Sequence, residues 1–324
     1  MKAMLSLEPG PPDRLTLKDI PEPVAGPDEV LVAVDVVALN FMDTLIIRDQ
    51  YQVKPQRPFA PGAECAGTII SLGSNVSGLA VGDRVCAYIG HGAAQQVVAV
   101  HASAVVPVPS DVSLDQAASV IVAHGTVLYA MKQRATLKPG ETLVITGATG
   151  GVGLAAIDIG KLFGARIIAC ASGTAKLNRL LAVDTVLDAD RSDLKDAVKD
   201  ATDGKGADVV LDLTGGAHTE ALMRATAWGG RYLVVGFASG EIPKPPLNLV
   251  LLKSIDVMGI HWSAWARRVP EEHQANTLLL LQEIQRATFA VTIAGRYPLE
   301  QLSKALQQLE TRNAAGKVII DIVR

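Results

Sequence analysis

The chain has 324 residues, of which 49% are hydrophobic and 19% charged, and its formal net charge is −3. This length favours two domains, and this balance is typical of a well-buried globular protein. The weakly acidic charge comes without a basic stripe, which disfavours nucleic-acid binding, and no apolar run approaches the roughly 18 residues of a membrane helix.

The three cysteines, Cys65, Cys86 and Cys170, lie far apart in apolar segments. None belongs to a C-x-x-C pair, so the spacing disfavours both a zinc cluster and a disulfide framework. We predict buried, unpaired thiols and therefore a reducing, cytoplasmic location.

The first 120 residues predict a compact and mostly antiparallel β domain. Short apolar segments alternate with Gly- and Pro-rich turns, as in PEPVAGPDE and PFAPGAE. Period-2 patterns bounded by such turns are typical of strands. The predicted strands lie in 29–40, 66–73, 82–89 and 94–100.

Beyond residue 120 the pattern changes to strands that alternate with helices. Six apolar runs lie at 143–146, 166–171, 185–188, 208–213, 231–237 and 255–260. Predicted helices cover 152–163, 175–182, 192–202 and 219–227. This alternation predicts a parallel sheet with helices on both faces, because parallel strands need crossover connections.

The C-terminal segment 298–323 predicts one amphipathic helix followed by one strand. No parallel partner follows it, so we assign the segment to the first domain. The resulting domains are 1–123 with 264–324, and 124–263.

The sequence ITGATGGVGLAAIDIG, residues 145–160, connects a predicted strand to a predicted helix. In this context a glycine turn binds the phosphates of a dinucleotide. Gly150 lets the backbone approach the pyrophosphate, and Gly153 lets the helix pack closely on the strand. Ala148 stands where the motif has its first glycine; Gly147 and Gly151 can supply the unusual φ values of the turn. The predicted contacts are Ala148, Thr149, Gly150, Gly151, Val152 and Gly153.

The end of the second parallel strand selects the cofactor. An Asp or Glu there would bind the ribose 2′-hydroxyl of NAD, but the chain continues as Ser172, Gly173 and, three residues later, Lys176. These residues favour NADPH, because Lys176 can bind a 2′-phosphate; the alternative is a solvated lysine in a helix's first turn. Backbone at the ends of later strands should also face the cofactor, namely Gly236, Phe237 and Ala238.

The segments ALNFMDTLIIRDQYQ, PFAPGAECAG, GDRVCAY, ITGATGGVGLAA and GKVIIDI resemble the zinc-free quinone oxidoreductases. This zeta-crystallin-like family belongs to the medium-chain dehydrogenase/reductase superfamily, and the resemblance covers nearly the whole chain. It implies a GroES-like mostly antiparallel β domain, a Rossmann doubly wound parallel sheet (an α/β fold), a cofactor in the cleft between them, and a homodimer. The apolar edge strand IDVMGI also favours dimerisation.

The resemblance implies Asn40, Tyr51 and Thr126 as residues near the nicotinamide and the acceptor. The alternatives are a buried turn for Asn40, a surface loop for Tyr51 and a helix-internal hydroxyl for Thr126. It also implies Gly259 and Ile260 at the last strand as cofactor contacts, and either Arg312 or Lys317 as a ligand of the 2′-phosphate. For Asp43 we favour a helix-capping role and for Glu64 a structural hydrogen bond.

Zinc-dependent alcohol dehydrogenases of the same superfamily hold their catalytic metal with a Cys and a His where this chain has Asn40 and Ala63. We therefore predict no metal site. Without a Lewis acid, hydride transfer requires an acceptor that is already electron-poor, such as a quinone. Alternatives are an enone or enoyl-thioester reductase, for which Arg267 and Arg268 could bind a phosphate, and a catalytically silent NADPH-binding regulator.

Overall fold

The computed structural model of the chain describes residues 1–173, 180, 183–311 and 316–322. Its strands are β1 (Lys2–Leu5), β2 (Thr16–Asp19), β3 (Glu29–Leu39), β4 (Glu64–Leu72), β5 (Arg84–Tyr88), β6 (Val97–His101), β7 (Val105–Pro107), β8 (Thr142–Ile145), β9 (Arg166–Ala171), β10 (Thr185–Asp188), β11 (Ala207–Asp212), β12 (Thr226–Val234), β13 (Asp256–Gly259), β14 (Ile293–Pro298) and β15 (Lys317–Asp321). Its α-helices are α1 (Phe41–Ile46), α2 (Leu114–Leu128), α3 (Gly151–Leu162), α4 (Leu194–Asp200), α5 (His218–Ala225), α6 (Asn248–Lys253), α7 (Trp262–Arg268), α8 (Pro270–Gln285) and α9 (Leu302–Glu310).

The chain divides into two compact units, which we call the first unit (1–125 and 265–324) and the second unit (126–264). The predicted helix at 175–182 falls on residues of which the structure describes only residue 180. Lys176 and Arg312 lie outside the described residues.

The first unit contains a seven-stranded sheet in the order β14-β15-β3-β4-β5-β7, and β6 also pairs with β3. Except for the parallel pair β14 and β15, its strands pair in antiparallel fashion. β3 lies at the centre because its valines and leucines are buried almost throughout. The returning strand β15 pairs with β3, so the C-terminal segment adds a strand to the sheet of the N-terminal segment.

The second unit contains a six-stranded, fully parallel sheet in the order β10-β9-β8-β11-β12-β13. Numbered within the sheet, this is the order 3-2-1-4-5-6 of a doubly wound dinucleotide-binding fold. All six predicted strands are present, and the predicted α/β fold class is confirmed. The central strand β8 is buried along its full length, because a parallel sheet is covered on both faces.

None of the described helices is both long and apolar enough to cross a membrane.

Candidate functional site

The glycine turn connects β8 to α3 in the second unit. Gly147 has a φ of +60°, a conformation that glycine adopts without strain. Gly151 instead begins α3, and Gly150 caps it with an extended φ of −79°. The Ala148 amide donates to the Cys170 carbonyl oxygen at 3.1 Å, which ties the turn to the end of β9. The turn therefore needs only one unusual φ value, and an alanine at position 148 is compatible with it.

Two glycines of the turn differ in the space around them. A Cβ on Gly153 would lie 2.3 Å from the Gly147 carbonyl oxygen and 2.6 Å from Ala148 Cα. A Cβ on Gly150 would meet no protein atom closer than that same oxygen, at 3.5 Å. Gly153 is thus required for close packing within the protein. Packing does not require Gly150, so the space beside it is available to a ligand.

The turn lies at the topological switch point of the sheet. From β8 the chain continues to β9 on one side, and β11 lies on the other side. In doubly wound sheets ligands bind outside the carboxyl ends of the strands at this point. Here the N-terminus of α3 also presents free amides and the positive end of the helix dipole. These features fit the phosphates of a dinucleotide.

The predicted cofactor residues of the second unit that the structure describes all lie at or after the carboxyl ends of its strands. They lie after β8 (Ala148, Thr149, Gly150, Gly151, Val152 and Gly153), after β9 (Ser172 and Gly173), after β12 (Gly236, Phe237 and Ala238) and at β13 (Gly259 and Ile260). Parallel strands end at the same edge of a sheet, so the fold gathers these residues along one edge. Lys176 is outside the described residues.

A carboxylate missed by sequence reasoning lies beside the end of β9. Ser172 Oγ donates to Asp190 Oδ1 at 2.9 Å, and both residues are exposed. Asp190 follows the neighbouring strand β10, so its proximity to Ser172 depends on sheet order and could not be derived from spacing. The negative charge of Asp190 would repel a 2′-phosphate at this position and would favour a ribose 2′-hydroxyl.

Asp212, at the end of β11, is the second residue that sequence reasoning missed. It is 3% exposed, and its carboxylate is surrounded by hydrogen-bond donors. Oδ2 accepts from Tyr232 Oη at 2.7 Å and Thr219 Oγ1 at 3.1 Å. Oδ1 accepts from Thr146 Oγ1 at 3.0 Å and the Gly215 amide at 2.9 Å. Asp212 therefore fixes the loops that follow β8 and β11, on the two sides of the switch point.

Thr126 lies in α2 and is half-buried. A π-helical segment, Tyr129–Ala135, follows α2 directly. The role of Thr126 near a nicotinamide stays a prediction.

A buried polar cluster in the first unit brings Asn40, Asp43, Glu64 and Lys317 together. Asn40 Nδ2 donates to Glu64 Oε1 at 2.9 Å. Lys317 Nζ donates to the same carboxylate oxygen at 2.6 Å and to Asn40 Oδ1 at 2.7 Å. Lys317 is 4% exposed, which argues against the predicted contact between Lys317 and a cofactor phosphate. Its ammonium has its partners within the first unit.

Asp43 is the N3 residue of the capping box of α1, whose N-cap is Asn40, in agreement with the helix-capping role favoured for Asp43. Its Oδ2 accepts from the Asn40 amide at 2.7 Å, and its Oδ1 accepts from the Gly62 amide at 3.1 Å. Burial disfavours the charged carboxylate and raises the pKa of Asp43 to about 7, against the opposing effects of these hydrogen bonds and of Lys317.

Tyr51 borders a cavity of about 210 Å³ in the first unit. The lining is mainly apolar and aromatic, and Arg267 contributes a cationic group. His91 also lines it, and desolvation lowers the pKa of this imidazole, which favours its neutral form. Its volume limits an occupant to a small molecule; its lining residues are Met42, Ile46, Tyr51, Val53, Tyr88, Ile89, Gly90, His91 and Arg267.

The side chains at the positions of the alcohol dehydrogenase metal ligands do not fit zinc. Lys317 Nζ already lies against Asn40 Oδ1, and Ala63 has no donor atom. Among the described residues no group of three or more His, Cys, Asp or Glu side chains could hold a metal ion. A catalytic zinc ion needs three such ligands in tetrahedral arrangement.

Comparison with known proteins identifies relatives along the whole chain. Residues 26–110 match the family model of the alcohol dehydrogenase GroES-like domain, and residues 151–279 match the model described as zinc-binding dehydrogenase. Mouse quinone oxidoreductase-like protein 2 is 35% identical over 315 residues, which cover 95% of this chain and 89% of the mouse protein. Human quinone oxidoreductase is 28% identical, with 99% and 97% covered.

The Escherichia coli quinone oxidoreductase, solved in complex with NADPH, has a similar fold. Its TM-score is 0.91 at 26% identity, over 99% of this chain and 100% of that one. The parallel sheet, the glycine turn and the sequence identity over nearly the full length all indicate the same family. This chain belongs to the quinone oxidoreductase family of the medium-chain dehydrogenase/reductase superfamily.

Proposed function

We propose that the protein is a reductase that uses NADPH to reduce a quinone or a similar electron-poor carbonyl compound. The observation that carries the proposal is the glycine turn at the switch point, where the space beside Gly150 is available to a ligand. The NADPH complex of the Escherichia coli relative supports the choice of cofactor. Bound NADPH supplies a hydride, which with one proton from water converts a quinone into its hydroquinone and leaves NADP⁺.

In this proposal the second unit holds the cofactor through its backbone. The free amides at the start of α3 bind the pyrophosphate, and Gly150 allows its close approach. Ser172, Gly173 and Lys176 contact the adenosine ribose and its 2′-phosphate. A charge-assisted hydrogen bond from Lys176 would favour NADPH over NADH by about 1.5–3 kcal/mol.

The first unit contributes acceptor-binding groups in the same proposal. The cavity beside Tyr51 takes the apolar acceptor ring, and the Tyr51 hydroxyl donates to an acceptor oxygen. Asn40 offers an amide N–H for the same kind of contact, and Thr126, as the resemblance implies, is a polar group near the nicotinamide. A well-placed donor of this type stabilises a developing oxyanion by about 2.7–4 kcal/mol.

We propose that the reaction is independent of zinc. An acceptor that is already electron-poor accepts hydride without a Lewis acid, and orientation of the reactants supplies much of the rate acceleration. The experiment is a screen of NADPH oxidation with quinones, alkenals and enoyl thioesters, each with and without a chelator. We expect turnover with quinones that is unchanged by the chelator. Loss of activity on chelation would contradict zinc independence.

Two substitutions in the glycine turn test the cofactor site and control for each other. Gly150→Ala fits the φ of −79° and the surrounding protein, so its unfolding temperature should match the wild type. Its dissociation constant for NADPH should rise about tenfold or more, because the methyl group occupies the phosphate's approach. Gly153→Ala should instead lower stability by about 1–3 kcal/mol, through its contact with the backbone. Wild-type NADPH affinity in Gly150→Ala would remove the assignment.

A second candidate activity is the reduction of enones or enoyl thioesters. It is favoured by Arg267, which borders the cavity and could bind the phosphate of a coenzyme or carrier. The same screen separates the two, since a preference for thioesters that is lost in Arg267→Ala supports this candidate. NADPH binding without turnover of any acceptor would instead support the silent regulatory protein.

We further propose a homodimer formed through the second unit. Exposed apolar side chains lie on or beside α6, β12 and β13, and β13 is the outermost strand of its sheet; they are Trp228, Leu247, Leu251, Leu252 and Val257. Such an edge favours pairing with a second copy.

The burial of all three unpaired cysteines supports a reducing, cytoplasmic location.

A further inference from the structure

Lys317 forms a buried ion pair with Glu64, a residue 253 positions away in the chain. The side chains of Lys317 and Glu64 are 5% and 0% exposed. Sheet order brings them together, because β15 pairs with β3 and β3 pairs with β4. A buried ion pair adds little net stability over an apolar pair of similar volume, so this one calls for another explanation.

The ion pair determines the orientation of the Asn40 side-chain amide. An ammonium group only donates hydrogen bonds, and a carboxylate only accepts them. Lys317 Nζ at 2.7 Å therefore requires the amide oxygen on its side, and Glu64 Oε1 at 2.9 Å requires the amide nitrogen on the other. In a flipped amide, Nδ2 would face the donor Lys317 Nζ and Oδ1 would face the acceptor Glu64 Oε1, and neither pair could form a hydrogen bond. Asn40 is held in one of its two possible orientations.

Further contacts fix both the carboxylate and the backbone of this cluster. Glu64 Oε2 accepts from the Val122 amide at 2.6 Å, which fixes the second carboxylate oxygen. Asp43 accepts from the backbone amide of Asn40 at 2.7 Å. The Nδ2 atom of Asn40 carries two hydrogens, and it donates one of them to Glu64 Oε1. Among the described residues the second N–H donates to no acceptor, and Asn40 is half-buried.

We propose that Lys317 is a positioning residue, which acts with Glu64 to aim the second Asn40 N–H at an oxygen of the acceptor. The inference rests on the proposed reductase function and adds a role for Lys317 and Glu64 within it. It also replaces the role that the sequence suggested for Lys317: the ammonium orients an amide instead of binding the 2′-phosphate. The two roles make different predictions for cofactor affinity.

The test compares Lys317→Met with the double variant Glu64→Gln/Lys317→Met. The single variant leaves an unpaired buried carboxylate and should unfold at a lower temperature, whereas the double variant removes both charges and should recover most of the stability. We expect kcat to stay about 10- to 100-fold below wild type in the double variant, because the amide is no longer held. Recovery of wild-type kcat together with stability would reduce the pair to a structural role and overturn the proposal.

Cofactor affinity distinguishes positioning from phosphate binding. In the double variant the dissociation constants of NADPH and NADH, measured by fluorescence titration, should both match the wild type. A selective loss of NADPH affinity would instead assign Lys317 to the 2′-phosphate and overturn the proposal.

Asn40→Ala completes the experiment as a mutant cycle. If Lys317 acts through Asn40, adding Asn40→Ala to the double variant should cause little further loss of kcat, although it lowers kcat in the wild-type background. Independent, multiplicative losses would contradict the proposed route. If the wild type reduces no acceptor, the proposed function fails. Neutron crystal structures of wild type and double variant, which distinguish the amide NH₂ from the amide oxygen, then still decide the positioning: an unchanged, single Asn40 amide orientation in both would overturn it.

Discussion

The buried carboxylate of Asp212 holds two loops in place at the candidate cofactor site. Its hydrogen bonds reach Thr146 after β8 and Gly215 after β11. Tyr232 and Thr219 satisfy its other oxygen. A carboxylate supplies only acceptors, and every neighbour named here supplies a donor.

We predict that Asp212→Asn lowers both stability and NADPH affinity. The amide would replace one acceptor oxygen with an NH₂ group that faces donors, and each buried group left without a partner costs about 1–3 kcal/mol. Tyr232→Phe is the matched control, because it removes one donor and leaves the loop contacts of Oδ1 in place. Urea unfolding should rank wild type above Tyr232→Phe and Tyr232→Phe above Asp212→Asn, whereas NADPH titration should give a weaker affinity only for Asp212→Asn. Equal NADPH affinity in all three proteins would contradict the loop-ordering role.

The sequence predicts residue roles where backbone geometry dictates the residue type. The packing role of Gly153 follows from the strand-turn-helix pattern, and the structure confirms the close approach of α3 to the turn. The roles of Asp212 and Lys317 could not be predicted in this way, because their partners are distant in the chain and meet only in the folded sheets. An acidic residue at the end of a strand has the same local sequence whether it orders loops or faces solvent.

At the scale of elements, burial determines which helices and strands the sequence pattern predicts. The inner parallel strands β8, β9 and β11 form apolar runs because both faces of their sheet are covered, whereas the edge strand β13 is largely exposed. In contrast, no sequence pattern predicted β14, whose residues are intermediate or exposed and include Gly295. Nor was α8 predicted, since its buried positions include His273, Asn276 and Glu283 among the leucines.

We predict that His273 on α8 makes stability fall as the pH is lowered from 6.5 to 4. The side chain is buried edge-on against the Tyr88 ring, and desolvation lowers the pKa of His273 from 6.5 to about 4. Between these values the unfolded chain binds a proton that the folded chain does not, so folding is progressively disfavoured. Relative to His273→Gln, wild type should lose about 3 kcal/mol across this window. Chemical denaturation at pH 7, 5.5 and 4 measures the difference.

Asp43 provides a control of opposite sign in the same experiment. Its pKa is raised from 3.8 to about 7, so between these values the folded chain holds a proton that the unfolded chain has lost. Relative to Asp43→Asn, wild type should therefore gain stability as the pH falls from 7 towards 4. Parallel pH profiles for wild type and either variant would contradict the corresponding prediction.

At the scale of the whole molecule, the sequence pattern predicted which sheet the C-terminal strand joins. The last strand had no parallel partner downstream, which predicted its return to the N-terminal sheet, and β15 pairs with β3. The identity of the acceptor is not readable in this way. The cavity beside Tyr51, which we propose for the acceptor, is lined by residues from separate segments, between Met42 and Arg267, whose proximity no local pattern encodes.

Assembly is the remaining property at this scale, and the edge strand β13 provides its test. Val257 is 49% exposed on the outermost strand of the sheet, and Leu251 on α6 is 79% exposed. If two copies meet at this edge, Val257→Arg would bury unpaired charges at the interface and should give a monomer. Val81→Arg is the matched control, since this valine is 62% exposed in the first unit and should leave assembly unchanged. Light scattering after gel filtration should therefore give twice the mass of one chain for wild type and Val81→Arg, and the mass of a single chain for Val257→Arg. A wild-type monomer would contradict the proposed homodimer, and a Val257→Arg dimer would place its interface elsewhere.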